Sequence, residues 1–222
     1  MNRALWLFLV AGCIDKIDER WQLDHDHVVA ARATPPRIRP GETTNLDALV
    51  AHVGRGVSVE NPLTAEVTTP QFAEDLAFVD GSWVLTAPSA TTLAAARPAM
   101  NLPEDAPVPV DIMLTFASAS NVKKTVWLGE PATNPELPPI TIDGQPAESA
   151  VVLPIGRDVY LEASTDLRIN WLTSVGALFQ DDERRAFIRV AAEDRGEGEL
   201  VVVARDSGGG VVWQIWPVSV AR

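Results

Sequence analysis

Residues 200–220, LVVVARDSGGGVVWQIWPVSV, decide the fold of this chain. Two apolar runs, 200–205 and 211–220, stand on either side of the glycine-rich segment 206–210. Glycine-rich turns join antiparallel neighbours, because glycine adopts the backbone angles that a tight reversal requires. The stretch therefore predicts a β-hairpin, and it indicates an all-β protein.

The rest of the C-terminal part repeats an alternation of apolar and polar positions. Successive side chains of a strand point to opposite faces, so this alternation is typical of a strand with one buried face. Short strands at regular spacing are typical of a β-sandwich. The inward positions that the pattern predicts are Val159, Leu161 and Ala163, then Leu167, Ile169, Trp171 and Thr173, then Ala186, Ile188 and Val190.

The N-terminal half predicts strands in three places. Residues 46–50 alternate from Leu46 to Val50, and residues 108–116 alternate from Val108 to Phe116. The segment VKKTVWLG, 122–129, predicts a hairpin with the strand before it. The segment SWVLTAPSATTLAAAR, 82–97, is ambiguous: its alanine run is compatible with a helix, but its proline and threonine pair favour extended structure.

A proline-rich segment, EPATNPELPP at 130–139, predicts the boundary between two domains. Four prolines make this segment stiff and extended, as in a linker. We therefore expect a first domain at 28–129, a linker at 130–136 and a second domain at 137–222. The charged segment IDKIDERWQLDHDH, 14–27, lacks a strong period and is expected to be a tether.

Three stretches resemble the immunoglobulin-like (Ig-like) superfamily. They are LRINWLTSVG at 167–176, VVVARDSGGGVVWQIWPVSV at 201–220, and TPPRIRPGETTNLDALV at 34–50, the last being similar to the opening strands of bacterial Ig-like modules. The resemblance implies two Ig-like antiparallel β-sandwiches in tandem, over 28–129 and 137–222. The cysteines that usually flank the tryptophan of LRINWLTSVG are absent, and such a fold implies no function by itself.

The first residues predict export. Residues 4–12, ALWLFLVAG, form an apolar run that has the length of a secretory signal core and is too short to span a bilayer. The run ends in VAGC at 10–13, which resembles a lipobox, the bacterial lipoprotein signal. The resemblance implies that 1–12 is a signal peptide and that Cys13 is acylated, so that the chain binds the membrane through this lipid.

The residues after Cys13 bear on the destination of such a lipoprotein. Ile14 takes the second mature position and Asp15 the third. By resemblance to the sorting rule of Gram-negative bacteria, this order implies the outer membrane of the bacterial cell envelope. The alternative is a chance cysteine in an ordinary signal peptide or in a buried terminal segment.

Charge and composition exclude several partners and sites. The formal net charge of -12 argues against nucleic acid, which requires a basic surface. Cys13 is the only cysteine, so neither an intrachain disulfide nor a zinc site built from several cysteines is possible. With a hydrophobic content of 46%, burial of apolar side chains must stabilise the fold alone.

Few residues are candidates for a metal. His25 and His27 alternate and would project to one side, as a metal site requires, and His52 is the only other histidine. Two ligands do not make a site, and a polar tether explains this pair better. The acidic segment 181–183 could bind calcium, although solvated acidic loops are the default in so acidic a chain. We predict no metal and no cofactor.

Two tryptophans are candidates for contact with a ligand or partner. Trp213 and Trp216 are three apart on one predicted strand, so they face opposite sides. One is expected to pack inside. The other either contacts a ligand or partner at the surface, or packs between the two domains.

The motif inventory favours a protein that is not an enzyme. No G-x-S-x-G motif occurs, and three histidines leave little for nucleophilic catalysis. We predict a lipid-anchored envelope protein that acts as a binding or structural display module, with an envelope protein or a glycan as partner. The alternative is a carbohydrate-associated enzyme or carbohydrate-binding protein that uses the acidic loops and a surface tryptophan.

Replacing Cys13 tests the predicted anchor. Cys13→Ser removes the thiol that the lipid would occupy, so the variant should lose labelling by a palmitate analogue and leave the membrane fraction. Ile14→Val keeps the thiol and should behave like the wild type. Metabolic labelling and membrane fractionation measure both effects, and unchanged fractionation of Cys13→Ser would rule out acylation at this position.

Overall fold

A computed structural model describes residues 19–117, 121–194 and 196–221, which form eighteen strands, one α-helix and one 3-10 helix. The strands make four sheets, two in each half of the chain. The all-β class predicted from the sequence is confirmed, and the two halves are β-sandwiches. The predicted lipobox with Cys13 lies outside the described residues.

The first sandwich packs two sheets around one apolar core. One sheet has the order β1-β3-β7-β6, with β4 also paired to β3, and the other has the order β2-β9-β8-β5. The strands are β1 His27–Thr34, β2 Arg37–Ile38, β3 Thr43–His52, β4 Gly56–Glu60, β5 Thr64–Val67, β6 Leu76–Val79, β7 Ser82–Thr86, β8 Val108–Thr115 and β9 Val122–Leu128. A 3-10 helix, Pro70–Asp75, and the helix α1, Ala90–Ala99, complete this half.

The alternation in 108–116 is confirmed in β8. Its inward side chains, Val108, Val110, Ile112 and Leu114, are fully buried in the first core. The expected hairpin with 122–129 is present as well, since β8 pairs with β9 from Val108 opposite Leu128 to Leu114 opposite Val122. The period-two pattern therefore identified both the strand and its buried face.

The extended structure favoured for 82–97 is wrong in its second half. Strand β7 ends at Thr86, and α1 begins at Ala90. Pro88 precedes the helix, so it does not interrupt any helical hydrogen bond. Ser89 is the N-cap, and its side chain accepts a hydrogen bond from the Thr92 N–H at 3.2 Å. Leu93 is buried in the first core, and this contact stabilises the helix.

The second sandwich has the same two-sheet arrangement. One sheet has the order β12-β18-β17-β14, and the other has the order β11-β10-β13-β16-β15. The strands are β10 Ile140–Ile142, β11 Gln145–Pro146, β12 Val151–Pro154, β13 Asp158–Ala163, β14 Arg168–Thr173, β15 Ala177–Phe179, β16 Arg185–Arg189, β17 Glu197–Arg205 and β18 Val211–Ala221. The predicted hairpin of 200–220 is the β17–β18 pair, whose register ends with Arg205 opposite Val211.

The two sandwiches share an apolar junction. Its buried members come from both halves and are Leu23, Ala30, Leu49, Ala51, Leu172, Val201, Val203 and Val211. On β17, five consecutive residues from Leu200 to Ala204 are fully buried. Both faces of this strand are therefore covered, one by the second core and the other by the first sandwich.

The segment 14–27 was expected to be a free tether, but its described part is docked on the sandwiches. Leu23 is buried at the junction, and Trp21 packs against the second core. The Leu23 N–H donates to the Thr173 carbonyl at 3.0 Å, and the Thr173 N–H donates to the Trp21 carbonyl at 2.9 Å. Apolar side chains among the charges dock the segment, and His27 already belongs to β1.

Trp171 is buried in the second sandwich, as its alternation predicted. Its side chain is fully buried, and its Nε1–H donates to the Glu183 carbonyl at 3.0 Å. Truncation of a buried Trp typically costs about 3–5 kcal/mol. Trp171→Ala should therefore lower the free energy of unfolding by about this amount, because it leaves a cavity and an unpaired carbonyl.

Trp213→Ala is the matched comparison. The Trp213 ring is only partly buried, so its truncation should lower the free energy of unfolding by less. Denaturant unfolding of the full chain, followed by circular dichroism, measures both variants. A Trp171→Ala variant within about 1 kcal/mol of the wild type would contradict the packing described for this sandwich.

Candidate functional site

The two candidate tryptophans face opposite sides of β18, and neither offers an open indole face. Trp216 is 4% exposed and packs in the second core, so its expected role as a possible ligand contact is corrected. Trp213 packs at the junction, with the Arg32 guanidinium carbon 3.9 Å from its ring centroid. Arg32 is itself held by Asp47 through hydrogen bonds of 3.0 and 2.6 Å. Of the two expected alternatives, Trp213 therefore packs between the two domains.

The histidine pair projects to one side, as the alternation predicted. The His25 and His27 rings stack with centroids 4.3 Å apart, and Nε2 of His27 is buried without a hydrogen-bond partner. Burial lowers the pKa of His27 and so favours its neutral form. His52 does not join them, because its Nε2 lies 2.5 Å from Oε1 of Glu60. Among the described residues, no group of three or more His, Cys, Asp and Glu side chains is placed to hold a metal ion.

Acidic residues of the second sandwich have structural contacts. The backbone carbonyl of Asp181 accepts a hydrogen bond from the Trp171 N–H at 2.7 Å. The Glu199 carboxylate accepts one from the Val57 N–H of the first sandwich at 2.8 Å. These contacts fix a strand and the junction, and they leave the calcium alternative without an assembled site in this part of the chain.

The described residues also bear on membrane contact. None of their helices has the length and apolar character needed to cross a bilayer.

The junction contains two largely buried cations that donate across it. Lys124 of β9 donates from Nζ to the Gly209 carbonyl at 2.7 Å. Arg205 of β17 donates to the Val29 carbonyl of β1 at 3.2 Å, and also to Oδ1 of Asn170 at 2.6 Å. Charged groups leave water at a cost unless they are hydrogen-bonded. Each cation is therefore placed where the opposite sandwich supplies a carbonyl.

The proline-rich linker also joins the two halves. Asn134 donates from Nδ2 to the Ala33 carbonyl of β1 at 2.9 Å. Its Oδ1 accepts from the Val211 N–H of β18 at 2.8 Å. One side chain thus bridges both sandwiches, so the linker restrains their relative orientation instead of leaving them free.

Three aromatic side chains form a row on the outer face of the second sandwich. Tyr160 of β13, Phe187 of β16 and Phe179 of β15 lie directly opposite one another in the strand register, and we call them the aromatic row. Tyr160 is 63% exposed and Phe179 is 40% exposed. Large apolar side chains grouped at a surface mark sites of interaction, whereas single ones are ordinary.

Two ion pairs flank the aromatic row, one on each side along the strands. Arg189 pairs with Asp158 at 2.6 Å, and Arg185 pairs with Glu162 at 2.9 Å. The hydrogen bond from Arg189 lowers the pKa of Asp158, so this carboxylate stays charged. The face therefore combines an apolar centre with four balanced charges.

The ring orientations decide what the aromatic row can contact. The Phe179 and Phe187 rings are 4.6 Å apart and nearly parallel, at 9°. One face of each ring is thus covered by the other ring, and the Arg189 guanidinium carbon lies 5.8 Å from the Phe179 centroid. A flat sugar ring stacks on a free aromatic face, and this stacking reduces the aromatic faces that the two phenylalanines offer. Apolar rings beside paired charges are typical of a surface that contacts protein.

Sequence reasoning missed the aromatic row. Tyr160 and Phe187 occupy outward positions of the alternating segments, which indicate solvent exposure and nothing more. The row exists only once the register brings them opposite each other. An aromatic residue at the outward centre of two strands, between charged outward neighbours, was the signal present in the sequence.

No family model and no curated protein matches this chain. Among solved structures, the tandem Ig repeats of Dlar are 14% identical over 89% of this chain and 98% of that chain, with a TM-score of 0.30. Murine CEACAM1b is 12% identical over 86% of this chain and 100% of that chain, with a TM-score of 0.29.

A nucleoside hydrolase-related hypothetical protein from Saccharophagus degradans is 16% identical over 40% of this chain, with a TM-score of 0.31. The match spans 26% of the length of that protein. Likenesses of this size carry no inference about what this chain binds.

Burial of Lys124 makes the stability of the junction depend on pH. Burial, together with the charge of Arg205, lowers the pKa of Lys124 from 10.5 to about 8. Between these two values the unfolded chain binds a proton that the folded chain does not, so the free energy of unfolding rises with pH. Relative to Lys124→Met, the wild type should gain up to about 2 kcal/mol between about pH 8 and about pH 10.

Denaturant unfolding at the two pH values measures this difference. Methionine keeps the apolar stem of the side chain and removes its titration. Lys123→Met, at the exposed neighbouring lysine, controls for the general loss of one positive charge. A free-energy difference between wild type and Lys124→Met that does not change with pH would contradict the buried ammonium.

Proposed function

We propose that this chain is a lipid-anchored, non-enzymatic binding module of the bacterial cell envelope, and that the aromatic row is its binding surface. The observation that carries the proposal is the exposed row of Tyr160, Phe187 and Phe179 between two ion pairs. Exposed aromatic groups with arginines beside them are the composition that binding surfaces favour.

The anchor of this module is the lipid on Cys13, inserted in the outer membrane. Only seven residues separate Cys13 from Trp21, which is docked on the second sandwich. Fully extended, the chain from Cys13 to Trp21 reaches at most about 28 Å. The anchored body is therefore held close to the membrane surface, and the binding surface faces partners in the same membrane or just beyond it.

The contacts of titratable groups in the described residues support a non-enzymatic role. Within the described residues, the buried cations Lys124 and Arg205 donate to backbone carbonyls at the junction. His52 is engaged by Glu60, and no described cluster of titratable groups is placed for a metal. General acid–base chemistry requires such groups to converge on one cleft.

The carbohydrate alternative has less support. It relied on a surface tryptophan, and both candidates are covered, Trp216 by the second core and Trp213 by Arg32. The aromatic row replaces them only in part, because each of its two phenylalanine rings covers one face of the other. A protein partner is the better expectation for this surface.

A photoreactive phenylalanine analogue tests the binding surface in the intact cell. Placed at Tyr160 in the full chain, it should give a covalent adduct on irradiation, because this side chain stands at the surface of the row. Val152 on the edge strand β12 is 62% exposed and serves as the matched control, where no adduct is expected. Immunoblotting measures adducts at both positions. Equal adducts at both, or none at Tyr160, would contradict a binding surface at the row.

A further inference from the structure

We infer that the partner of the aromatic row is a second copy of this chain, packed face to face about a two-fold axis that runs between β13 and β16, parallel to the strands. This inference rests on the proposed function, because it names the occupant of the same surface. Two-fold dimers bury the same patch on both copies, so the patch must be complementary to itself.

The charge of this face permits self-association, although the chain as a whole opposes it. A formal net charge of -12 makes two copies repel over most surfaces. On the face of the row, however, Asp158 and Glu162 are matched by Arg189 and Arg185. At the adjacent β-turn, Arg157 pairs with Asp143 at 2.8 Å, so positive and negative charges remain equal in number there. This locally neutral surface approaches its own copy without net repulsion.

The order of these charges selects the axis. Along the strands the register gives three successive pairs, which are Asp158 with Arg189, Tyr160 with Phe187, and Glu162 with Arg185. An axis parallel to the strands and between them exchanges β13 of one copy with β16 of the other. Each carboxylate then faces an arginine of the second copy, and Tyr160 faces Phe187.

The other two-fold axis in the plane of the contact is unfavourable. An axis along the aromatic row would place Asp158 against Glu162 and Arg189 against Arg185. Like charges opposed in this way cost binding free energy at an interface. The favourable axis also keeps the strands of the two sheets nearly aligned, which is the common geometry of face-to-face sheet packing.

The size of the face predicts a weak dimer. The five strands of this sheet have only two to six residues each. At about 3.3 Å per residue and about 4.8 Å between strands, they cover on the order of 300 Å² per copy, or about 600 Å² in total. This area is below the usual size of specific interfaces, so the dissociation constant is expected to be on the order of 100 μM or weaker. A lipid anchor on each copy would confine both to one surface and raise their effective concentration.

Sedimentation velocity of the full chain in a non-ionic detergent tests the inference over a range of concentrations. The wild type should form a dimer as its concentration rises. Tyr160→Ser should weaken the dimer by about tenfold or more, because it removes a ring beside the axis from both copies. Phe78→Ser is the matched control and should dimerise like the wild type, because Phe78 is an aromatic residue 58% exposed on the first sandwich.

Charge exchange tests whether this charged face forms the contact. The double variant Arg185→Glu/Arg189→Glu makes the face acidic, and Asp158→Lys/Glu162→Lys makes it basic. Each should be monomeric alone, and a mixture of the two should form a heterodimer. Circular dichroism reports whether each variant is folded. If a charge variant does not fold, the comparison of Tyr160→Ser with the wild type decides whether the face forms the dimer.

A wild type that stays monomeric at all concentrations, or a Tyr160→Ser variant that dimerises like the wild type, would overturn the inference. The photocrosslink separates this failure from failure of the proposed function. An adduct twice the mass of the chain supports the second copy. An adduct of Tyr160 with a different protein, together with a monomeric chain, would overturn the inference that the partner is a second copy. The proposed function as a binding module would still be supported.

Discussion

Strand β17 contributes to two apolar cores at once, and the arrangement of the rest of the chain depends on this. Leu200, Val202 and Ala204 point into the second sandwich, while Val201 and Val203 point into the junction with the first. A strand buried on both faces cannot be solvated on either, so the first sandwich must cover it. Because the junction occupies this sheet, the sheet that carries the aromatic row is the broad solvent-facing surface of the second sandwich.

Apolar burial stabilises the junction, but hydrogen bonds fix its geometry. Apolar contact is non-directional, and two smooth sheets could slide over one another. Arg37 donates to the Gly208 carbonyl at 3.3 Å, Lys124 donates to Gly209, and Arg205 donates in the opposite direction to Val29. A wrong orientation would leave these buried cations without partners, and this penalty is larger than the gain from any one of the bonds.

The strands were predicted best from the sequence where one face is buried and the other is exposed to solvent, as in β8 and β13. It did not predict which residues close the junction, because Leu23 and Leu49 look like stray apolar residues in a local pattern. The uninterrupted run from Leu200 to Ala204 was the available sign, since an unbroken apolar strand indicates burial on both faces. Helix α1 was missed because only a single capping residue, Ser89, separates Pro88 from the first helical residue, Ala90.

The candidate site escaped prediction for a different reason, which is that it is a property of the register. Tyr160, Phe187 and Phe179 come from three strands, and no local pattern states which residues lie opposite one another. The register also explains how the second sandwich tolerates these aromatic side chains at its surface. Each of the two phenylalanines covers one face of the other, and an ion pair borders the row on each side along the strands.

Strand β15, the edge strand that carries Phe179, has only three residues. So short an edge offers few free backbone groups for pairing with another strand. Association through this sheet is therefore directed to its face, where the order of charges specifies the partner. Pairing at the edge would use backbone hydrogen bonds, which do not select one strand over another.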